Sequence, residues 1–504
     1  MSYAQLETHF RRLGHLAHIA DIMHWDEAVM MPPAAGPARA EAMATLHVMI
    51  HELQTDPRLV DWLAAGEREV TSGNLNSFQT ANFVEMRRIV RRASGVPTDL
   101  VARRSEAQMR CEQAWRKLRA ENDWENFAPL LAEVVNLKRQ EAQALAQALD
   151  LSPYDALMDE YEPGVRSAEI DRVFADLRTF LPPFIEKALE RQAHFNPITP
   201  TGPFSIAAQE KLGRDLMKAV GFDMAHGRLD VSHHPFCGGI PSDVRITTRY
   251  DEQDFTTSLL GVLHETGHAK YEQGLPEAWR GQPVGHARGM STHEGQSLLQ
   301  EMQISRSRAF LTFAAPKMAA AFPEAAAQQP QAFTVENLYR LYTRVARSKI
   351  RVDADEVTYP CHILLRYDIE RALIDGTMNV KEIPEAWDSA MQSLLAVHTA
   401  GDYRNGCMQD AHWPAGAFGY FPTYTLGAMT AAQVFAAIKK SLPNWESQVA
   451  HGSFDAINDF LRTHIWSYGS RCSADELMRH ATGESLNARY FEEHLQARYL
   501  DDKG

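Results

Sequence analysis

FTTSLLGVLHETGHAKY, residues 255–271, decides what kind of protein this chain builds. Leu259, Leu260, Leu263 and Ala269 recur at helical spacing, which predicts a largely buried helix. That helix carries His264-Glu265-Thr266-Gly267-His268. Histidines four residues apart share one helical face, about a turn from each other, so both imidazoles can reach a single ion. Glu265, between them, can stand beside a water at that ion and take its proton. The plainer reading is a solvated helix that carries two histidines and an acid by chance. Burial argues against it, because buried polar groups cost free energy unless they are paired or coordinate a metal.

A third ligand decides which kind of site this is. One extended pattern continues along the same segment, with a glycine three residues after the second histidine and another histidine three further on. Tyr271 and Gly274 stand at those places and exclude it. The other common arrangement takes a glutamate from the next helix. Pro276 and Gly281 break the first helix, Gly285 and Gly289 keep the chain irregular, and a new helix is expected to start near Ser291. Glu294 on that helix is the first candidate, although Ser291 and Glu294 also fit a capping box. Glu301, seven residues on, shares its face and competes with it. His286 and His293 would complete an all-histidine set, which is less usual for a peptidase.

With these residues in view, the sequence resembles the carboxypeptidase Taq family of zinc metallocarboxypeptidases. The likeness rests on six ordered motifs between residues 234 and 413. His234-Pro235-Phe236 matches HPF, and Asp243, Arg245 and Thr247 match DxRxT. After the HETGH pentapeptide, His293-Glu294-Gly295-Gln296 matches HE(S/G)Q, whose glutamate is the third ligand in that family. Ile350 to Asp355 reads as IRxxAD, and Gly406 to Trp413 as GxxQDxHW. The length, His24-Trp25-Asp26 and Met31-Pro32 also agree, so the likeness spans nearly the whole chain. It implies one Zn²⁺ per chain (with Co²⁺ a possible substitute), peptide substrates with a free C-terminal carboxylate, a homodimer and a neurolysin-like shape.

The chemistry of the residues agrees. A tetrahedral Zn²⁺ held by His264, His268 and Glu294 keeps one position open, with Glu265 as general base and acid. An enzyme acting at chain ends must also recognise an α-carboxylate, which a planar, always-charged guanidinium does in a bidentate way. Arg351 is the first choice. Arg245 is the second, in the alternating stretch Val244-Arg245-Ile246-Thr247-Thr248-Arg249-Tyr250, which reads as a strand whose edge could pair with an extended peptide. Either arginine could instead form a structural ion pair with Asp355, Glu356 or Asp243. His234, Tyr420 and Tyr424 are candidates to stabilise charge on the carbonyl oxygen. Gln409 and His412 are expected to contact substrate or shape the closed end of the cleft.

Composition bounds the remainder. A chain of 504 residues, 45% hydrophobic, can bury a large core. A net charge of −14 argues against nucleic acid as a partner. Cys111, Cys237, Cys361, Cys407 and Cys472 are scattered and odd in number, which fits reduced thiols in a cytoplasmic protein. The N-terminus lacks the apolar core of a secretory signal. Residues 411–438 contain no Asp, Glu, Lys or Arg, but Pro414, Gly416, Gly419, Pro422 and Gly427 would break a membrane-spanning helix. The segment reads better as an uncharged wall of the cleft, followed by a helix from about Thr430.

Helical patterning fills residues 3–149, 168–195 and 206–220, then 335–349, 357–375, 383–398 and 474–499, with breaks at 31–37, 95–97, 196–204 and 323–330. Residues 325–332 read as a surface loop. The expected architecture is a mostly α, single helical domain over residues 1–504, split by a deep active-site cleft. It has a small β element before the zinc helix, a helical N-terminal portion to about residue 225, and a zinc-site and substrate-binding portion from about 226. Three functions are compatible: a carboxypeptidase of broad specificity, an endo-acting zinc oligopeptidase, and a non-catalytic helical protein with a structural metal.

Overall fold

The apolar periodicity of the first third of the chain becomes a run of helices: Ser2–Val29, Gly36–Gln54, Arg58–Thr71, Ser77–Gly95, Thr98–Ala120 and Trp124–Leu149. They are seen in a computed structural model, which describes residues 2–502. Polar side chains mark their starts where the pattern leads one to expect them. Asn76 and Gln79 form a capping box, and Asp123 accepts from the Asn126 N–H. The first half of Ser2–Val29 packs Tyr3, Leu6 and Phe10 against Leu59, Phe83 and Met86. Beyond Leu13 the only buried hydrophobic residue of that helix is Trp25, so its second half leaves the core as an arm.

Trp25 tells the arm where to dock. Two guanidiniums approach its ring, Arg228 at 4.7 Å and Arg245 at 4.3 Å from the ring centre. Both arginines belong to a three-stranded sheet of β1 (Gly227–Val231), β2 (Cys237–Ile240) and β3 (Asp243–Thr248), in the order β1-β3-β2. β1 runs parallel to β3, and β2 runs antiparallel to it. The strand expected to offer an edge, β3, is therefore central. Val244 and Ile246 explain why, since both are fully buried against the histidine-bearing helix and its neighbour. The free edge beside the cleft belongs to β2.

Two large apolar cores flank the middle of the molecule. One joins helices from residues 100–188 to segments 345–432 and 488–499; the other joins 204–342 to 431–486. The cores interleave along the chain, so the packing does not follow a boundary near residue 225. Several expected boundaries move for local reasons. The helix expected over 335–349 is Val335–Tyr342. The backbone after it is taken by side chains, with Val345 N–H donating to Gln192 and Ala346 N–H to Asp355. The C-terminal helix divides into Ala474–Thr482 and Ala488–Leu495 because Gly483 caps the first in the left-handed region. Residues 325–332 are not a surface loop: they fall in helix Pro323–Gln328 and turn Pro330–Phe333, with Ala325 and Ala332 buried. The helix expected from Thr430 starts earlier, at Pro422, where a proline suits the first helical turn. Among the described residues no helix is long and apolar enough to cross a membrane.

Glu370, inside helix Tyr359–Asp375, ties this frame to the segment before Pro422. It accepts from Tyr154 O–H at 3.0 Å, Trp413 Nε1 at 2.9 Å and the Gly419 N–H at 3.0 Å. Burial pushes its carboxyl from 4.5 up to about 7, against the pull of those hydrogen bonds. The folded chain thus keeps a proton that the unfolded chain has already lost between those two values. The contribution favours the fold below the lower one and disappears as the pH rises through the upper one. Thermal unfolding of the protein is expected to show a fall in Tm from about pH 5 to about pH 8 that is reduced in Glu370→Gln. Superimposable pH profiles would contradict it.

Candidate metal centre and peptide cleft

The centre is built where three helices touch: Phe255–Gly274 with the two histidines, Gly289–Leu298 with Glu294, and Pro422–Ser441 with Tyr424. Asp254 caps the first by accepting from the Thr256 N–H, and Pro276 stops it. The crossing is close because two positions lack side chains. A Cβ on Gly267 would lie 2.5 Å from both the Gln296 carbonyl oxygen and Ser297 Cα. One on Gly427 would lie 2.7 Å from Glu294 Cγ. Gly427 therefore leaves room for the Glu294 side chain, and Gly267 brings it level with the histidines. The capping-box alternative fails here. Ser291 lies inside the helix, and both its N–H and its hydroxyl donate to Glu162, not Glu294.

His264, His268 and Glu294 bring one ligand atom each within 4.8 Å of one another. Glu294 Oε2 lies 3.9 Å from His264 Nε2 and 3.4 Å from His268 Nε2. Donors at about 2.0–2.1 Å from a tetrahedral ion stand about 3.3 Å apart, so little adjustment separates this triangle from a coordination shell. The other ring nitrogens are engaged elsewhere. His264 Nδ1 is 2.9 Å from Glu301 Oε2, and Glu301 accepts from Arg306 at 2.6 Å. Glu301, the competing candidate, thus stands behind the histidine and outside the triangle. It sits in a π-helical stretch, Leu299–Ser305, which turns it relative to Glu294. His268 Nδ1 is 2.6 Å from His293 Nδ1, so His293 also stands behind. Two imidazoles and a carboxylate with their outer atoms occupied suit a divalent metal of the zinc type.

Charge at the centre is uneven. Burial lowers His264, but Glu294 and the hydrogen bond to Glu301 outweigh it and hold the imidazole at about 10. Burial takes His268 down to about 4, although its bond to Glu294 resists. Burial raises Glu294, but His264 and His268 bring it down to about 2, the ionised form a metal needs. Burial pushes Glu265 up to about 7, with His264 opposing.

A cleft of about 1400 Å³ opens over these residues. Its walls include His18 and Asp21 of the arm, Cys237 and Ile240 of β2, and Arg351, Tyr359, Tyr420 and Tyr424. Arg351, 7% exposed, donates from Nε to Asp410 Oδ1 at 2.9 Å and from Nη1 to Tyr359 Oη at 3.0 Å. The partners expected from sequence, Asp355 and Glu356, are engaged with other groups. Asp410 is shared, because fully buried Arg366 donates to its Oδ2 at 2.8 and 2.5 Å. Burial lowers His362 to about 3, with Arg366 adding, and lowers His412 to about 4 despite Asp410, so both are neutral. Two guanidiniums against one carboxylate leave this cluster one positive charge in excess, on the side where Arg351 meets the cleft.

The other sequence candidates divide. Tyr420 and Tyr424 face the cleft, and burial keeps both phenols protonated. His412 stands behind Tyr424, its Nε2 at 3.3 Å from the hydroxyl. Gln409 accepts from the Arg351 N–H at 2.7 Å and donates to the Lys349, Asn405 and Gly406 carbonyls. It braces the arginine turn and is not part of the cleft wall. Arg245 pairs with Asp243 at 2.8 Å and stacks on Trp25, away from the cleft lining. His234 is exposed, and its carbonyl accepts from Ser232, so its motif serves the turn before β2. Asp410, Arg366, Tyr359, Glu272, Arg306 and the arm residues escaped sequence reasoning. Asp410 lay inside a quoted motif; the others carry no spacing signal of their own.

The carboxypeptidase Taq (M32) metallopeptidase family model matches residues 5–499. Thermostable carboxypeptidase 1 of Thermus thermophilus is 36% identical over 507 residues, covering 99% of this chain and 98% of that protein. The solved structure of Trypanosoma cruzi metallocarboxypeptidase 1 superimposes with a TM-score of 0.96 at 42% identity, over 99% of both chains. That of the M32 carboxypeptidase from Deinococcus radiodurans gives 0.93 at 32% identity, again over 99% of both.

The crossing makes a prediction that leaves every candidate ligand in place. Gly267→Ala forces a methyl into the facing backbone, an overpacking that costs about 1–3 kcal/mol. It is expected to lower both Tm and the affinity for added Zn²⁺, measured by unfolding and by titration of apoprotein. Parental metal affinity in this variant would show that the close approach does not set Glu294.

Proposed function

This chain belongs to the carboxypeptidase Taq (M32) metallopeptidase family and is a metallocarboxypeptidase, and on that premise we propose that it releases single residues from peptide C-termini with broad specificity, using one zinc ion held by His264, His268 and Glu294. When bound, the ion supplies Lewis acidity to the scissile carbonyl and brings the pKa of water towards about 7, cobalt being the alternative that such donors accept. Glu265 takes the proton of the attacking water and delivers it to the leaving amine.

The observation that carries the reading is the excess positive charge at Arg351, in the same cleft as the histidine–glutamate triangle. Burying an unbalanced charge is unfavourable, and a peptide α-carboxylate at Arg351 would balance it. Asp410 and Tyr359 hold the guanidinium plane, so little freedom is lost on binding. The hydroxyls of Tyr420 and Tyr424, protonated and beside the cleft, can donate to the developing oxyanion. His412 orients Tyr424, and the open edge of β2 offers backbone groups to an extended substrate. Arg245, His234 and Gln409 act in this reading as supports. One catalytic unit over residues 1–504, a homodimer and a cytoplasmic location complete the proposal, supported by the family likeness and by five unpaired thiols.

Glu265→Gln is expected to remain folded and metal-loaded while turnover falls by about 10²–10⁴-fold. Near-parental turnover would remove Glu265 from the proton-transfer role. Function itself is tested by mass spectrometry of N-blocked peptides, one series with a free C-terminal carboxylate and one with a C-terminal amide. The expected result is a ladder losing one residue at a time from free ends only, abolished by a chelator. Arg351→Lys should lower kcat/KM on the free acids by about 10²-fold, since an ammonium cannot bind a carboxylate through two parallel bonds. Internal cuts in both series would move the assignment to an oligopeptidase.

A further inference from the structure

The two histidines of the centre are backed differently. His264 Nδ1 meets a carboxylate directly, Glu301 at 2.9 Å. His268 Nδ1 meets a second imidazole, His293 Nδ1 at 2.6 Å, and His293 Nε2 lies 2.7 Å from Glu272 Oε1. Glu272 is four residues beyond His268 on the same helix, so the three side chains close a loop between the histidine-bearing and glutamate-bearing helices. The ring of His293 also packs beside two others, 4.6 Å from the His268 ring and 5.4 Å from that of fully buried Tyr271.

Counting protons fixes the direction of this chain. Two imidazole nitrogens in hydrogen-bond contact share one hydrogen, so one donates and the other accepts. If His268 keeps the lone pair of Nε2 for an ion, its proton sits on Nδ1 and His293 Nδ1 accepts it. With its Nδ1 accepting, His293 carries its hydrogen on Nε2, where Glu272 accepts it. The reverse assignment puts a proton on His268 Nε2, between that nitrogen and Glu294, and removes it as a ligand. Only one of the two arrangements is compatible with metal, and the carboxylate at the end of the chain favours that one.

We propose that His293 and Glu272 are positioning residues, a relay that holds His268 in the tautomer and ring orientation needed to bind the metal. The inference rests on the reading of His268 as a ligand. Neither relay residue belongs to the His264–His268–Glu294 triangle. Glu272 and His293 line the cleft wall, as do Glu301 and Arg306 behind His264, so the two supports differ in chemistry and not in access.

The test uses full-length apoprotein titrated with Co²⁺ in competition with a chelator, following the visible absorption of the bound ion. His293→Leu removes the acceptor and is expected to weaken Co²⁺ binding by about 10–100-fold and to change the absorption bands. His293→Asn places an amide oxygen near the former Nδ1 and should recover most of the loss, which a purely structural packing role would not predict. Glu272→Gln should fall between the two. His268→Ala, run in parallel, is expected to lose more affinity than any of them. Parental affinity and spectrum in His293→Leu, with metal lost in His268→Ala, would overturn the relay and leave the ligand assignment standing. Parental binding by His268→Ala would instead overturn the ligand assignment. A loss in His293→Asn as large as that in His268→Ala would make His293 a ligand and also end the proposal. Should His293→Leu not fold, Glu272→Leu carries the decision: unchanged affinity there overturns the relay.

Discussion

The centre of this molecule depends on how closely helices can cross. Helix axes usually pack about 8–10 Å apart, a distance set by the side chains between them. At Gly267 and Gly427 those side chains are missing, and the neighbouring backbone or Glu294 occupies the space. A chelating triangle drawn from residues 264, 268 and 294 follows from that contact, because a glutamate side chain is too short to bridge a wider gap. The triangle is then held by rigid elements, with each histidine fixed from behind by a hydrogen bond. Two glycines without side chains therefore determine whether the three candidate ligands meet.

Electrostatics divides the cleft into two ends. Around the histidines, Glu265, Glu294 and Glu301 outnumber the one guanidinium, Arg306, and Glu294 and Glu301 hold on His264 a proton that a bound cation would replace. Around Arg351 the surplus is positive, with Asp410 unable to neutralise both of its arginines. A cation at one end and a carboxylate at the other would satisfy both. The protein has placed these imbalances in advance, in surroundings where charges are weakly screened and cannot rearrange at little cost. Under the proposed function, this polarity orients a peptide along the cleft through its C-terminal carboxylate and its scissile carbonyl.

Much of this was legible in the sequence, for a physical reason in each case. The pentapeptide combines helical periodicity with an i, i+4 histidine pair, so one local pattern announces both an element and a chemistry. Most helices could be placed because apolar spacing and capping residues are local. What could not be read was long-range. Arg245 sits in a well-formed strand, yet nothing in that strand says it will be central and its arginine committed to Trp25. Gln409 lies in a motif because it braces Arg351, and His234 because its segment turns the chain into β2. The helix expected past Tyr342 unwinds because Gln192 and Asp355 capture its backbone, one of them more than 150 residues away. Motif membership marked importance, but only packing separated the groups that face the cleft from those that brace it.

The cleft is lined by residues from Gly14 to Ala431, and this spread has a temporal consequence. During synthesis the histidine pair leaves the ribosome while Arg351 and the two tyrosines are still unmade, and the arm made first has no opposing wall. Contacts of such long sequence separation form late, after shorter loops have closed. A nascent chain can fold its helices and even gather an ion, yet it has no complete groove in which to grip a peptide. Hydrolytic capacity is therefore a property of the finished molecule, because no shorter stretch of the chain contains the whole wall.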